Sequence, residues 1–382
     1  MAANHLTKPI TILLWNANGI LNNINELQLS LIENQVDIAM ITETHLTNKS
    51  TLKIYGYNIL RADHPDGTAH GGAALIISNK IAHTPSLPCT SLDMQIIDTS
   101  LLINSIPVSI ASAYLPPGRK FPDNELLLYL TQINHSFLLG ADFNAKHHCW
   151  GCSTINTRGR SLQNLIVTKN AKVLAPRAPT YWPSHQDRNP DFLDFFISSL
   201  PNHFQSKLTN LNDPASDHTP VLIQINASIS SHINNNSSKI IWPRFRTIMT
   251  CNTNLNSKLK SHADIDNAIS TFTETILNAK KNASVPLNGP MSDHLITPEI
   301  RQLITEKRRA RNRWQHSHYP EDRRKYNSLS NKLKSLLKTH KNELYKSHLA
   351  SLSPNNGTLW KKTKSLLQHK ETLPPLLRDD NS

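Results

Sequence analysis

The sequence predicts an α/β protein whose chain continues into a mainly helical, basic C-terminal region. Short apolar runs flanked by Gly, Pro and Asn recur through the first part, and such runs are typical of buried strands. The first run, in the segment ILLWNANGI at residues 12–20, ends abruptly in two asparagines and a glycine. Because α/β sheets gather ligand sites at strand ends, this ending marks a candidate site.

Later apolar runs also carry polar groups at or beside one end. They are Ile38–Thr42 with Glu43, Val108–Ala113 with Tyr114, Phe137–Ala141 with Asp142 and Asn144, Phe192–Ile197 with Asp194, and Val221–Ile225 with Asp217 and His218. With Asn16 and Asn18, these groups offer hard oxygen donors and one imidazole but no thiol. Magnesium prefers octahedral oxygen ligands and keeps several waters, so the set suits Mg²⁺ better than Zn²⁺ and predicts a phosphoester substrate.

Six motifs resemble, in this order, those of the endonuclease/exonuclease/phosphatase superfamily. They are WNANG from Trp15, TET around Glu43, AYLPP around Tyr114, GADFNA around Asp142, LDFF around Asp194 and SDHTP around Asp217. Within that superfamily, Asn18 and the runs NAKHHCWG from Asn144 and NTRGRSL from Asn156 resemble non-LTR retrotransposon endonucleases, Jockey-like ones especially. The resemblance covers about residues 8–226 and implies a four-layer α/β sandwich.

The resemblance also implies a role for each candidate residue. Glu43 would be the chief metal ligand, helped by Asn18 and Asp217 directly or through water. Asp142 would orient and deprotonate the attacking water. The groups expected to hydrogen-bond the phosphate oxygens are Asn16, Tyr114 and Asn144.

His218 is expected to act as a further donor or base, and Asp194 to fix its tautomer and angle. Whether His218 or Asp142 takes the proton is left open. Asp191 lies three residues before Asp194 and competes for the orienting role, but the LDFF motif favours Asp194.

Charge is distributed unevenly along the chain. Residues 1–226 hold 15 Lys and Arg against 16 Asp and Glu, which leaves 26 against 12, a net charge of +14, for residues 227–382. A nuclease must still admit a polyanion, so a local basic groove is expected in the first part. Its candidate residues are Arg119, Lys120, Lys146, Arg158 and Arg160. The alternative is scattered, solvated charge.

The chain divides into three segments. Residues 8–226 form the endonuclease/exonuclease/phosphatase domain, and the Ser- and Asn-rich residues 227–240 are expected to be a flexible linker. Residues 241–382 are expected to form a basic helical connector, with helical spacing at Ile265–Ala279 and at Ile300–Leu349, the latter interrupted near Tyr319-Pro320. In the family that the chain resembles, such a connector leads to a reverse transcriptase with a Tyr/Phe-x-Asp-Asp loop. This chain lacks that loop, so polymerase activity is not predicted and the chain is expected to stop before that domain.

The connector contains the basic run KRRARNRW, whose charged residues are Lys307, Arg308, Arg309, Arg311 and Arg313. Clustered Lys and Arg neutralise phosphates, so the run is predicted to bind duplex DNA or element RNA, or to act as a nuclear import signal. The solvated face of a helix is an equal alternative.

Two further patterns limit the classes of function that fit the sequence. No apolar run is long enough to span a bilayer, so a membrane partner is not predicted. The start MAANHLTKPI lacks a secretory signal, which predicts an intracellular protein that is nuclear when it acts on DNA. Cys149 and Cys152 are expected to be ordinary loop residues, because a zinc or redox site would need a second ligand pair or a thioredoxin-like setting.

These patterns predict a Mg²⁺-dependent DNA endonuclease, with Mn²⁺ as an alternative ion. The resemblance adds that it nicks one strand and leaves a 3′-hydroxyl for target-primed reverse transcription. One alternative is another phosphoesterase of the superfamily, since its members also cleave inositol phosphates and sphingomyelin. Another is a catalytically silent nucleic-acid-binding remnant of a mobile element.

Overall fold

The computed structural model describes residues 9–133, 135–183, 188–214, 216–229, 238–252, 260–286, 296–355 and 357–367. Its strands are β1 (Ile10–Asn16), β2 (Ile38–Thr42), β3 (Tyr57–Ala62), β4 (Ala73–Ser78), β5 (Thr84–Pro85), β6 (Cys89–Thr90), β7 (Gln95–Ile103), β8 (Ile106–Tyr114), β9 (Ser136–Asp142), β10 (Lys172–Leu174), β11 (Asp194–Ser198), β12 (Ser206–Asn210), β13 (Val221–Ile225), β14 (Ser238–Ile240) and β15 (Ser284–Pro286). Its helices are α1 (Ile20–Glu33), α2 (Asp123–Gln132), α3 (Thr157–Thr168), α4 (Trp242–Asn252), α5 (His262–Ala283), α6 (Pro298–Ser317), α7 (Pro320–Ala350) and α8 (Thr358–Leu367), with a 3-10 turn at His148–Trp150.

Two mixed β-sheets make up the first part of the molecule. The first has the strand order β12-β13-β1-β2-β4-β3, and the second has the order β10-β11-β9-β8-β7-β5, with β6 also paired to β7. Each sheet contains one parallel pair, β1 with β2 and β8 with β9. The carboxyl ends of these four strands carry most of the predicted site.

The apolar runs form strands because both of their faces are buried. In β1, Ile12 and Leu14 join the core between the sheets, whereas Leu13 and Trp15 pack on the outer face with Leu27 of α1. Helices α2 and α3 cover the outer face of the second sheet. The layer order helix, sheet, sheet, helix confirms the predicted four-layer sandwich.

The C-terminal region is mainly helical, as predicted. The predicted helical stretches correspond to α5 and to the pair α6 and α7, which breaks at His318–Tyr319. Of the predicted linker, residues 230–237 lie outside the described residues. Within the described part of the chain, no helix combines the length and apolar character needed to cross a membrane.

Helices α6 and α7 pack against the sandwich instead of extending away from it. Ile300 and Leu303 of α6 and Leu333 of α7 form a buried cluster with Leu29 of α1. The segments on either side of the predicted linker are therefore in direct contact.

Lys307 supplies the charged part of this interface. Its side chain is 0% exposed, and its ammonium lies 2.7 Å from Glu26 Oε2 and also contacts Asp213. Arg308 adds a contact of 2.7 Å to Glu33 and a second one to Asp213. Burial alone would raise the pKa of Asp213, but the two cations hold that pKa below its ordinary value. The prediction that Lys307 binds nucleic acid is wrong, because a phosphate cannot reach a buried ammonium that two carboxylates already neutralise.

Replacing Lys307 by methionine should lower the free energy of unfolding by about 3–5 kcal/mol, because Glu26 and Asp213 would lose the ammonium that compensates their buried charges. Urea unfolding at pH 7 measures this loss, with the exposed Arg309→Met as the matched control.

The difference between wild type and the Lys307→Met variant should shrink in acid. A carboxyl with a depressed pKa stabilises the fold above its unfolded value, here 3.8, and this stabilisation is lost as the pH falls through the folded pKa. Equal unfolding midpoints for Lys307→Met and Arg309→Met at pH 7 would contradict the assigned interface.

Candidate active site at the strand ends

The two parallel strand pairs end side by side and bring polar groups from both sheets together. In the first sheet Asn16 ends β1 beside Thr42 of β2, and in the second Tyr114 ends β8 beside Asp142 of β9. The Asn16 amide donates from Nδ2 to Asp142 Oδ2 at 2.9 Å, and both side chains are buried. This hydrogen bond joins the two sheets at the predicted site.

Sharp turns follow these strands and place the next side chains at the candidate site. Asn18, Glu43 and Asn144 have φ angles of 41°, 48° and 47°, a conformation that is uncommon for residues other than glycine. The first two turns are held together, since the Gly19 amide donates to the Glu43 carbonyl at 2.9 Å. Non-glycine residues in this conformation cluster at functional sites, which supports the assignment of these turns.

His218 and Asp194 form a buried pair. His218 Nδ1 lies 2.6 Å from Asp194 Oδ2, and the residues are 5% and 0% exposed. The hydroxyl of Thr180 accepts the backbone N–H groups of Leu193 and Asp194 at 3.0 Å each and so fixes this strand start. The competing Asp191 lies elsewhere, with its carboxylate against the Lys146 ammonium. The geometry therefore favours Asp194 as the orienting carboxylate.

Burial and the crowding of negative charge change the proton affinities in the site. Burial and then the charge of Asp194 raise the pKa of Asp142. Burial opposes protonation of His218, but Asp194 outweighs it and raises the pKa of the imidazole. Burial and the charge of Glu43 also raise the pKa of Tyr114, which therefore stays a neutral hydrogen-bond donor.

The predicted metal ligands lie on neighbouring loops and are chemically suitable. Asn18 Nδ2 lies 3.3 Å from Asp217 Oδ1, and the Glu43 carboxylate lies beside the Tyr114 hydroxyl. Two carboxylates and one amide oxygen are hard donors of the kind that Mg²⁺ prefers, so this set fits the implied ion.

A second group of potential ligand atoms lies deeper. One atom each from Asp142, Asp194 and His218 lie within 4.8 Å of one another, and Asp194 Oδ1 is buried without a hydrogen-bond partner. These three residues therefore also form a compact, buried group whose ligand atoms are close enough to hold a cation.

Ser216 is a site residue that the sequence reasoning did not single out. Its hydroxyl accepts from Trp15 Nε1 and from the backbone N–H of His218, both at 3.0 Å, and donates to the Asn16 carbonyl at 2.8 Å. It thereby ties the loop that carries His218 to the end of β1. The SDHTP motif contained the signal, since Ser216 is its first residue.

Arg311 holds the same loop from the other side. It is 0% exposed, and its guanidinium donates to the carbonyls of Asn212 at 2.9 Å and His218 at 3.2 Å, and to Thr219 Oγ1 at 3.2 Å. The predicted nucleic-acid contact of Arg311 is therefore wrong. Its two terminal nitrogens donate inside the protein, and one of them holds the backbone carbonyl of His218, a candidate catalytic residue.

The other predicted basic residues fall into two groups. Arg158 donates to the carbonyls of Arg119, Leu115 and Phe143, and Lys146 pairs with Asp191, so these two side chains also have partners within the protein. The residues with exposed side chains are Arg119, Lys120, Arg160, Arg309 and Arg313.

The first residue of the NTRGRSL run caps helix α3 and anchors the loop before it. The Asn156 side chain accepts from the Gly159 amide at 2.7 Å and from the Lys146 amide at 3.0 Å, so it caps α3 and anchors the preceding loop. A Cβ at Gly159 would collide with the Lys146 carbonyl. This cap sets the start of α3 and the position of Arg158.

The fold is the one expected from the endonuclease/exonuclease/phosphatase motifs, and sequence relatives make the resemblance more specific. Residues 108–222 match the family model described as endonuclease-reverse transcriptase. The chain is 29% identical over 388 residues to the probable RNA-directed DNA polymerase from transposon X-element of Drosophila melanogaster, covering 97% of this chain and 42% of that protein. The RNA-directed DNA polymerase from mobile element jockey of Drosophila funebris is 29% identical over 372 residues, covering 94% of this chain and 40% of that protein.

Solved structures with a similar fold include the endonuclease domain of TRAS1, a telomere-specific non-LTR retrotransposon. Its TM-score is 0.47 at 18% identity, covering 57% of this chain and 98% of that domain. The AP endonuclease LMAP from Leishmania major has a TM-score of 0.48 at 15% identity, covering 57% of this chain and 88% of that one. The family model and the sequence relatives confirm the predicted resemblance to Jockey-like non-LTR retrotransposon proteins. The chain spans about two fifths of the length of these curated relatives.

Replacing Asp194 by asparagine should lower the pKa of His218, because the neighbouring negative charge that raises it is removed. If the site cleaves phosphodiesters, as proposed below, the cleavage rate should also fall by about 100-fold or more, as for other acid–base groups. NMR titration of the imidazole and a single-turnover assay measure the two effects. Asp191→Asn is the matched control and should leave the His218 titration unchanged; the same shift in both variants would contradict the assignment.

Proposed function

We propose that this chain is a Mg²⁺-dependent DNA endonuclease of a non-LTR retrotransposon, able to use Mn²⁺ in place of Mg²⁺. It would nick one strand of duplex DNA and leave a 3′-hydroxyl for target-primed reverse transcription, acting in the nucleus. The observation that carries the proposal is the joining of Asn16 to Asp142 across the two sheets, beside the buried pair of His218 and Asp194. Such a set is suited to in-line hydrolysis of a phosphodiester.

The attacking water loses its proton to Asp142 or to His218. Both are buried beside each other, and their raised pKa values mean that each holds a proton more tightly than the same group does in water. Only a deprotonated member of the pair can accept the proton of the water. His218 uses Nδ1 for Asp194, which leaves Nε2 for the water or for a phosphate oxygen. Asp194 keeps the imidazole in that tautomer.

Neutral donors stabilise the charge that builds on the phosphate. Tyr114 remains protonated because burial and Glu43 oppose its ionisation. The Asn144 side chain is tied to the Leu115 carbonyl at 3.2 Å, and Asn16 to Asp142, so these amides are fixed before substrate arrives. Fixed donors stabilise a transition state without a reorganisation cost. A cation held by Glu43, Asn18 and Asp217 would supply Lewis acidity at the phosphate and at the leaving oxygen.

Duplex DNA would be held through its phosphates by the exposed basic residues around the site, Arg119, Lys120 and Arg160. In the connector, the exposed Arg309 and Arg313 are left from the predicted basic run for DNA or element RNA, because Arg308 pairs with Glu33 and Asp213. We propose these contacts as sequence-independent, because phosphate contacts position a duplex without reading its bases.

Purified protein should relax supercoiled plasmid when Mg²⁺ is present and should leave it intact in EDTA. Glu43→Gln and His218→Ala should each abolish nicking, because they remove a metal ligand and a proton-transfer group. The exposed Glu274→Gln on α5 is the matched control and should nick like wild type.

The chemistry of the ends at the nick tests whether cleavage leaves a 3′-hydroxyl. Extension of the nick by an added DNA polymerase requires a free 3′-hydroxyl and should succeed. If folded wild type leaves the plasmid intact, cleavage of inositol phosphates or sphingomyelin identifies another phosphoesterase, and a gel shift without cleavage identifies a nucleic-acid-binding remnant.

A further inference from the structure

The loop between β3 and β4 gathers a second set of potential metal ligands. His64 Nδ1 lies 2.9 Å from Asp66 Oδ1, and His70 Nε2 lies 3.5 Å from Asp66 Oδ2. One ligand atom from each of the three residues lies within 4.8 Å of the others. Imidazole nitrogens with a carboxylate oxygen are typical of transition-metal sites and differ from the all-oxygen set around Glu43.

The two distances from Asp66 to the histidines agree with a single tetrahedral ion. Zinc binds nitrogen and oxygen ligands at about 2.0–2.1 Å, which places two ligands of a tetrahedral site roughly 3.3 Å apart. The two distances to Asp66, 2.9 and 3.5 Å, lie on either side of that value.

Thr68 orients two of the three side chains. Its hydroxyl donates to Asp66 Oδ1 at 2.9 Å and lies 2.5 Å from His70 Nδ1, which therefore donates to it. That bond leaves a lone pair on His70 Nε2, the nitrogen facing Asp66. Metal-binding histidines are commonly held in this way through their second nitrogen.

The Asp66 carboxylate lies at the centre of the cluster. His64 Nδ1 is 2.9 Å from Asp66 Oδ1, a hydrogen-bond distance, and 3.4 Å from the Asp66 amide nitrogen. Backbone and side-chain hydrogen bonds from Thr68, with His64, lower the pKa of Asp66 to about 2, which keeps the carboxylate ionised. A metal ion among these atoms would take the place of the imidazole proton beside the carboxylate. Protonated imidazoles would neutralise Asp66 without a metal, and the two cases can be separated by experiment.

We propose that His64, Asp66 and His70 form a binding site for a divalent transition metal of the Zn²⁺ type, separate from the Mg²⁺ site. The fourth position is left for water, since three protein ligands are present among the described residues. The site does not depend on the proposed nuclease activity.

The position of the loop suggests what the ion does. Gly71 and Gly72 at its end accept the backbone N–H groups of His45 at 2.9 Å and Thr44 at 3.3 Å, directly after Glu43. A Cβ built on Gly71 would lie 3.3 Å from both His64 and Tyr114, so no spare room separates the loop from the active-site wall. A bound ion would fix this wall in one conformation.

The HHCWGC segment is the obvious competing place for zinc. There, His148 Nδ1 lies 3.0 Å from the Cys152 carbonyl, and the Cys149 amide donates to His147 at 3.2 Å. Cys152 is buried, and among the described residues this segment contributes no group of three converging ligand atoms. Variants in this segment therefore serve as the comparison for variants of the proposed site.

The test uses chelator-treated full-length protein without DNA. Zn²⁺ affinity is measured by competition with a colorimetric chelator, and Co²⁺ is added as a spectroscopic probe of tetrahedral nitrogen and oxygen coordination. Wild type should take up one equivalent of Zn²⁺ in the presence of excess Mg²⁺. His70→Ala and Asp66→Asn should weaken binding at least tenfold and remove the Co²⁺ spectrum. The exposed His262→Ala should match wild type.

Thr68→Val keeps all three ligands and tests their orientation. It should weaken Zn²⁺ binding by about tenfold to 100-fold while the melting temperature without metal stays the same. The proposal is overturned if wild type binds no Zn²⁺, if His70→Ala binds like wild type, or if Cys149→Ser and His147→Ala remove the binding instead. A His70 imidazole that titrates as an ion pair with Asp66 and does not respond to Zn²⁺ in NMR spectra would also overturn it.

Discussion

The structure depends on the close stacking of two sheets at the ends of their parallel strands. Asn16 from one sheet and Asp142 from the other are near enough to share a hydrogen bond of 2.9 Å. Gly140 permits this approach, since a Cβ there would collide with Met40 Sδ and would lie 3.1 Å from the Phe196 ring. The glycine of the GADFNA motif thus has a packing role next to the site, and the chemistry at the strand ends follows from that packing.

The strand ends could be predicted from the sequence because their signal is local. A run such as Ile38–Thr42 is apolar because both its faces are buried, and the polar residue that follows, Glu43, marks the place where the burial stops. The resemblance of the motifs then predicted the layer order and the role of each candidate residue. Continuous apolar runs carry no information on which sheet a strand joins, so the sheet order itself came only from the structure.

The SDHTP motif contains Ser216, but the contacts of Ser216, Thr180 and Arg311 could not be predicted because their partners are distant in sequence. Ser216 meets Trp15 across 201 residues, and Arg311 meets His218 across 93. The sequence also could not show which cations of the basic run KRRARNRW are buried. Lys307 and Arg311 are four residues apart and share the buried face of α6, whereas Arg309 and Arg313 lie on its exposed face. Composition gives the charge of such a helix, but only packing shows which cations are neutralised.

In the proposed site, groups from both sheets act as one catalytic unit. The most direct measurement is single-turnover nicking of a duplex oligonucleotide by Asn16→Ala, by Asp142→Ala and by the double variant. If the two side chains act together, the double variant should be no slower than the slower single variant, as in other catalytic units whose members are removed in turn. Rate losses that multiply, as expected for independent residues, would contradict a site built across the two sheets.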